Sequence, residues 1–159
     1  MNQMATLVAE STNNAGFRPN SSNSLRIQSF QRGDGIFVKN QKIEGFITGR
    51  GCPDNCSFCF HVGLKKIMKG LGTYSRRKSP EYVIAEIEHF LARYPLRRLV
   101  FRDDTFVVDY DAYVKPLMVL YRERIGIPFS CLIRADYMSE DSIRDLAESG
   151  CFAVKMGVE

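Results

Sequence analysis

The chain has 159 residues, of which 45% are hydrophobic, and carries 22 lysines and arginines against 18 aspartates and glutamates. This length normally forms one domain with a usable core, and the composition is typical of a globular protein rather than a disordered chain. The net charge of +4 is too small to indicate a particular partner. No apolar run approaches the ~18 residues that would predict a membrane span. The N-terminus lacks the features of a secretory signal, so we expect a cytoplasmic protein.

Residues 1–42 differ in composition from the rest of the chain. The tracts 11–16 and 19–24 are rich in Ser, Asn and Gly, and they favour turns or linkers over a packed core. The short run 35–38 is the one piece for which we predict an extended conformation. We therefore expect 1–42 to be an irregular lead-in and 43–159 to form the main domain.

Strands and helices alternate after residue 42. The predicted strands are 43–48, 99–101, 129–133 and 152–158. Ser79 and Pro80 predict a helix start, and Pro116 either kinks the second helix or marks its beginning. Ser139 can cap a third helix, which Gly150 would end. Repeated strand–helix units predict an α/β fold with a parallel sheet and right-handed crossovers.

Three cysteines lie within eight residues, as Cys52, Cys56 and Cys59, in the spacing C-x3-C-x2-C. Thiolates this close can converge on one soft metal centre, such as zinc, copper(I) or an iron–sulfur cluster. Structural zinc and electron-carrying [4Fe–4S] clusters take four protein ligands. Three thiolates would instead leave one iron of a [4Fe–4S] cluster open to another molecule.

Other residues could complete a closed site, so alternatives remain open. Cys131 and Cys151 lie in apolar, strand-like surroundings, which favours buried thiols over ligands. His61 is a fourth-ligand candidate that we also consider less favoured. A non-catalytic electron-transfer cluster and a zinc-binding module therefore remain as alternatives to an open-iron centre.

Residues 51–60, GCPDNCSFCF, resemble the CxxxCxxC signature of the radical S-adenosylmethionine (SAM) enzymes, including the aromatic residue before the third cysteine. The wider pattern is similar to the subgroup whose members often carry a cobalamin-binding domain. It comprises ITGRGCPDNCSFC, YSRRKSPEYVIAEIEHF, RLVFRDDTFVVD and GCFAVKMGVE. The resemblance extends from about Phe46 to Glu159.

This resemblance implies a partial radical SAM (TIM-like) barrel of about four parallel strands with crossover helices. The chain ends after the fourth strand, so we expect a truncated, N-terminal part of the core domain. Such a sheet would leave the apolar run 152–156 as an unpaired edge, which favours aggregation. We therefore expect poor solubility or weak SAM binding when the chain is expressed alone.

The resemblance also implies roles for individual residues. The three cysteines would ligate a [4Fe–4S] cluster, and Phe58 would lie near the adenine of SAM. Asp103 or Asp104 would contact the methionyl ammonium, and Glu159 the ribose hydroxyls. Arg134 would meet the SAM carboxylate or a substrate. The structural alternatives are that Asp104 caps a turn and that Arg134 forms a surface ion pair.

The function implied is reductive cleavage of SAM to methionine and a 5′-deoxyadenosyl radical, which abstracts hydrogen from a small-molecule substrate. The electron would come from a protein such as flavodoxin or ferredoxin. A cobalamin-dependent parent would instead methylate an unactivated carbon. Both histidines, His61 and His89, lie downstream of where a cobalamin domain would sit, so we expect that domain to lie outside this chain.

A basic segment at 65–78 raises the question of nucleic-acid binding, because related enzymes act on tRNA. It contains Lys65, Lys66, Lys69, Arg76, Arg77 and Lys78 and no acid. Charge runs are usually solvated faces, and Tyr74 is the one aromatic residue here that could stack on a base. We favour the solvated face over an RNA-binding strip.

Overall fold

The computed structural model describes residues 3–8, 26–29 and 43–158. The strands are β1 (Gln3–Val8), β2 (Arg26–Ser29), β3 (Ile43–Phe46), β4 (Gly49–Arg50), β5 (Arg76–Arg77), β6 (Arg98–Phe101), β7 (Phe129–Ile133) and β8 (Cys151–Val158). The helices are α1 (Phe60–Ile67), α2 (Pro80–Leu91), α3 (Lys115–Arg124) and α4 (Glu140–Glu148). None of the helices in these residues is both long and apolar enough to cross a membrane.

Six strands form one sheet in the order β2-β1-β8-β7-β6-β3. The strands β3, β6, β7 and β8 are parallel neighbours, and helices cross over between them. One row of paired residues runs across all four strands: Phe46 of β3, Phe101 of β6, Cys131 of β7 and Val154 of β8. The predicted α/β fold with four parallel strands is confirmed.

The N-terminal part of the sheet differs from the prediction. We expected an irregular lead-in, but β1 pairs antiparallel with β2 and with β8, from Gln3 opposite Val158 to Val8 opposite Ala153. The edge of β8 that was predicted to be unpaired is therefore covered. The run MATLV suits an extended strand, and the prediction missed it because the polar tracts that follow dominate the segment's composition. Those tracts and the run 35–38 lie outside the described residues.

The predicted helix signals act as expected. The Ser79 hydroxyl accepts a hydrogen bond from the Tyr82 amide at 3.2 Å, and Pro80 begins α2. Ser139 caps α4 through a reciprocal bond with Ser142, and Gly150 ends that unit with φ of +90°. A glycine fits there because a positive φ is strained for other residues.

Pro116 lies in the first turn of α3. A π-helical turn at Tyr110–Val114 comes directly before α3. Of the two readings that the sequence left open for Pro116, the structure therefore shows a helix beginning.

The two faces of the sheet differ in character because side chains alternate along a strand. Leu99, Phe101, Phe129 and Ile133 face the helices and are buried in one hydrophobic core. Phe101 stacks on Phe106 with ring centroids 4.7 Å apart. The intervening residues of β6, β7 and β8 face the opposite side, where they line a cavity.

Candidate functional site

A cavity of about 780 Å³ opens at the carboxyl ends of the parallel strands. Its walls come from the loop after β4, the start of α1, and the ends of β6, β7 and β8. In parallel α/β folds, ligands bind at this end of the strands because the connecting loops converge there. The volume is within the range of small-molecule sites.

All three clustered cysteines line this cavity. Cys52 is buried, and burial raises the pKa of its thiol. The Cys59 amide donates to the Cys56 carbonyl at 2.9 Å, and Cys59 then begins α1 as its N-cap. In the described ranges, no three Cys, His, Asp or Glu side chains are arranged as a metal-binding group. The donor set therefore fits a soft metal centre in number and chemistry, whereas its sulfurs are not gathered in ligand geometry.

Lys65 of α1 forms hydrogen bonds with the segment that carries the three cysteines, residues 51–59, which we call the cysteine loop. Its Nζ donates to the carbonyls of Pro53 at 2.7 Å and Asp54 at 2.5 Å, and to Asn55 Oδ1 at 3.0 Å. A single ammonium has three donors, and here all three are used on consecutive residues of the loop. Lys65 thus fixes the turn between the first two cysteines.

Arg134, at the end of β7, holds the other side of the loop. Its guanidinium donates to Asp136 at 2.9 and 2.5 Å, approaches Asp54 at 3.2 Å, and donates to the Cys56 sulfur at 2.9 Å. Tyr137 adds a hydrogen bond from its hydroxyl to Asp54 at 2.8 Å. The guanidinium lowers the pKa of Asp136. The ion pair we considered as the structural alternative for Arg134 is present, and its contact with SAM or substrate stays a prediction.

Asp103 and Asp104 have different environments. Asp103 is buried and accepts hydrogen bonds from the Thr48 amide at 3.2 Å, the Thr48 hydroxyl at 2.7 Å and the Gly49 amide at 2.7 Å. Burial raises the pKa of Asp103, and the bonds from Thr48 and Gly49 oppose this shift. Asp104 accepts from the Gly51 amide at 3.1 Å, and 39% of its side chain is exposed. Asp103 therefore holds the start of the cysteine loop, and Asp104 is the carboxylate more accessible to a ligand.

His61 is engaged on both ring nitrogens. Its Nε2 lies 3.2 Å from Asp104, and its Nδ1 contacts the Tyr74 hydroxyl. A metal ligand needs a nitrogen lone pair directed at the metal, so this arrangement does not favour His61 as a fourth ligand.

Cys131 and Cys151 are buried, as predicted, with their sulfurs 4.0 Å apart on neighbouring strands. Their mutual contact raises the pKa of Cys131 well above its ordinary value, and burial adds to this. Cys131 also lines the cavity, but its sulfur contacts Cys151. In the described part of the chain, neither is hydrogen-bonded to a cysteine of the loop. They therefore offer little support for a closed four-cysteine cluster.

The two remaining predicted site residues are Phe58 and Glu159. Phe58 lines the cavity, and 65% of its surface is exposed. Its contact with the adenine of SAM stays a prediction. Glu159 lies outside the described residues. Sequence reasoning missed Asp54, Lys65 and Tyr137, because no local pattern signals their contacts with the loop.

The basic segment at 65–78 is not a uniform cationic strip. Lys65 holds the cysteine loop, and Lys78 pairs with Glu86 at 2.5 Å. Arg77 lies over the Tyr113 ring at 4.5 Å and donates to the carbonyls of Thr105 and Phe106. Several of these charges thus have structural tasks, which weakens the case for an RNA-binding strip.

Comparison with known proteins gives two findings. The family model described as the Radical SAM superfamily matches residues 46–159. A protein of Pyrococcus horikoshii, named "Uncharacterized methyltransferase PH0819", is 29% identical over 113 residues. The match covers 71% of this chain and 23% of that relative, so the chain spans less than a quarter of the relative's length.

Proposed function

Because the chain belongs to the radical SAM superfamily, we propose that Cys52, Cys56 and Cys59 hold a [4Fe–4S] cluster with one iron left open for SAM. The observation that carries this proposal is the position of all three thiols on the wall of one cavity at the carboxyl ends of parallel strands. A cluster held by these thiols would supply the electron for reductive cleavage of SAM to methionine and a 5′-deoxyadenosyl radical.

The residues around the thiols hold the loop that carries them. Lys65 fixes the backbone between Cys52 and Cys56, and Arg134 approaches the Cys56 sulfur from β7. Groups that donate hydrogen bonds to ligand sulfurs orient them and tune the metal centre. The loop is therefore supported from two elements before any ligand arrives.

Other residues that line the cavity have side chains that could contact the ammonium and adenine groups of SAM. Asp104, the more exposed of the two acids, would accept the methionyl ammonium, since a carboxylate forms a strong charge-assisted bond with it. Phe58 would pack against the adenine. The ribose contact of Glu159 is carried by the resemblance alone.

The reaction class of the whole protein is a finer proposal. The name of the P. horikoshii relative favours methyl transfer. A small-molecule substrate is proposed from the resemblance. Cobalamin as a second cofactor stays a prediction from the subgroup pattern. A flavodoxin or ferredoxin as electron donor, and a cytoplasmic location, are proposed with it, and residues 43–159 are proposed as the N-terminal part of the core domain.

Anaerobic reconstitution with iron and sulfide tests the proposal. The wild type should bind about four irons per chain, and Cys52→Ala, Cys56→Ala and Cys59→Ala should each lose most of this iron. Cys151→Ala is the matched control, because it removes a thiol that lies in the core, and its iron content should equal that of the wild type. Stoichiometric zinc in place of iron would instead support the zinc-module alternative.

A further inference from the structure

Arg102 and Lys155 lie at the same level of the sheet, and β7 separates the strands that carry them. The face of β6, β7 and β8 that lines the cavity is its floor. Leu132 of β7 pairs with Lys155 of β8, and Phe101 of β6 pairs with Cys131. Arg102, which follows Phe101, is therefore level with Leu132 and Lys155. Its amide continues the sheet by donating to the Phe46 carbonyl at 2.8 Å. All three side chains line the cavity.

We propose that Arg102 and Lys155 form a binding site for the anionic group, a carboxylate or a phosphate, of the substrate. With strands about 4.8 Å apart, the two Cα atoms are separated by roughly 10 Å. Both side chains are long enough to reach one anion between them once the Arg102 side chain turns from β3 toward β7. An arginine fork with a lysine point charge is a common way to recognise such groups.

The other charges of the cavity are already engaged. Its acids are Asp103, Asp104 and Asp136, which are bonded to the cysteine loop, to His61 and Gly51, and to Arg134 respectively. Across the described part of the chain, no ion pair or hydrogen bond involves the side chain of Arg102 or Lys155. Both are exposed to the cavity space. The floor therefore carries positive charge that the described walls leave available to a ligand.

Gly45 on β3 makes room for the Arg102 side chain. A Cβ built on Gly45 would lie 2.3 Å from Arg102 Nε and 2.6 Å from its Cδ. Any larger residue would force the Arg102 side chain to move. Gly45 is on β3, which neighbours β6 on the side away from β7. In this structure the Arg102 side chain therefore lies over β3, and its guanidinium must turn toward β7 to meet an anion held by Lys155.

This inference rests on the proposed function for its meaning, but its test does not require iron or SAM. The full chain, without reconstitution, is titrated with inorganic phosphate, and separately with acetate, at constant ionic strength set by chloride. Binding is followed by NMR of the backbone amides in 15N-labelled protein, so that the same probes are present in every variant. The tighter of the two anions identifies the substrate's group as phosphate or carboxylate.

We expect saturable shifts, and an affinity about tenfold lower in Arg102→Gln and in Lys155→Gln, the loss typical of one charge-assisted bond. Arg144→Gln is the matched control. It removes one positive charge from the outer surface of α4, where Arg144 pairs with Asp141 at 3.1 Å, and it should bind anions like the wild type. The charge-preserving Lys155→Arg should retain binding.

Several results would overturn the proposal. These are no saturable shift with either anion, an equal loss in Arg144→Gln, or unchanged affinity in both cavity variants. A fourth result would be a loss of SAM affinity in reconstituted Arg102→Gln and Lys155→Gln. The two cations would then bind the SAM carboxylate rather than a group of the substrate, and the proposal would be wrong. Iron content is measured on the same variants, so failure of the cluster proposal is seen separately.

Discussion

Asp103 and Asp104 are adjacent in sequence, yet they have different tasks because their side chains point to different neighbours. The carboxylate of Asp103 is surrounded by donors from Thr48 and Gly49 and is buried. Asp104 meets Gly51 and His61 at the rim of the cavity. The sequence could not separate the two, because the difference depends on a loop 55 residues away.

Substituting each acid separates the structural role from the ligand-binding role. Asp103→Asn should lower the free energy of unfolding by about 1–3 kcal/mol, because an amide cannot accept on both atoms and a buried donor is left unsatisfied. Asp104→Asn should lose less stability and should weaken SAM binding to the reconstituted protein. Urea unfolding and equilibrium SAM binding measure the two effects, and a larger stability loss in Asp104→Asn would contradict the assignment.

Tyr137 gives a prediction for alkaline pH. Its hydrogen bond to Asp54 raises the pKa of the phenol to about 12, from an ordinary value of about 10. A raised folded-state pKa means that this bond stabilises the fold fully below pH ~10, and that the contribution is lost as the pH rises through about 12.

The measurement is the difference in unfolding free energy between the wild type and Tyr137→Phe. We expect this difference to be largest below pH ~10 and to shrink toward pH ~12. A difference that stays constant over this interval would show that the hydroxyl does not donate to Asp54 in the folded state.

At the scale of elements, the helices follow local signals that the sequence displays. Ser79 and Pro80 set the start of α2, and Ser139 sets the start of α4. The strand at 129–133 was predicted with the bounds that the structure shows. By contrast, α1 was missed: its apolar residues Phe60, Ile67 and Leu64 lie on an exposed face, so no buried stripe defines it.

Substitution of Ser139, the N-cap residue of α4, tests whether the capping hydrogen bond stabilises the fold. Ser139→Ala removes the hydrogen bond that its hydroxyl accepts from the Ser142 amide at 3.1 Å. It should cost about 1 kcal/mol of unfolding free energy. Ser139→Thr keeps a hydroxyl acceptor and should stay close to the wild type in urea unfolding. Equal losses in both variants would mean that the cap is not the cause.

At the scale of the whole molecule, the parallel sheet was predictable because each strand–helix unit carries its own signal. The pairing of β1 with β8 was not, because it joins residues at opposite ends of the chain. The cysteine triad could be read from sequence as a metal centre. The contacts of Asp54 with Arg134 and Tyr137 bridge about 80 residues and appear only in the folded chain.

The same folding brings the three clustered thiols, three acids and three cations around one cavity, which Cys131 also lines. None of these groups defines a reaction alone. Their common location at the carboxyl ends of β6, β7 and β8 is what gives the cysteine loop a substrate space beside it.

The central claim is that three cysteines hold a cluster with one iron open to SAM. Its most direct test is the electron paramagnetic resonance spectrum of the reconstituted, reduced protein, recorded with and without SAM. The account predicts that SAM shifts the g values of the cluster in the wild type and equally in Cys151→Ala. A cluster spectrum that SAM leaves unchanged would contradict it, because every iron would then already have its full set of ligands.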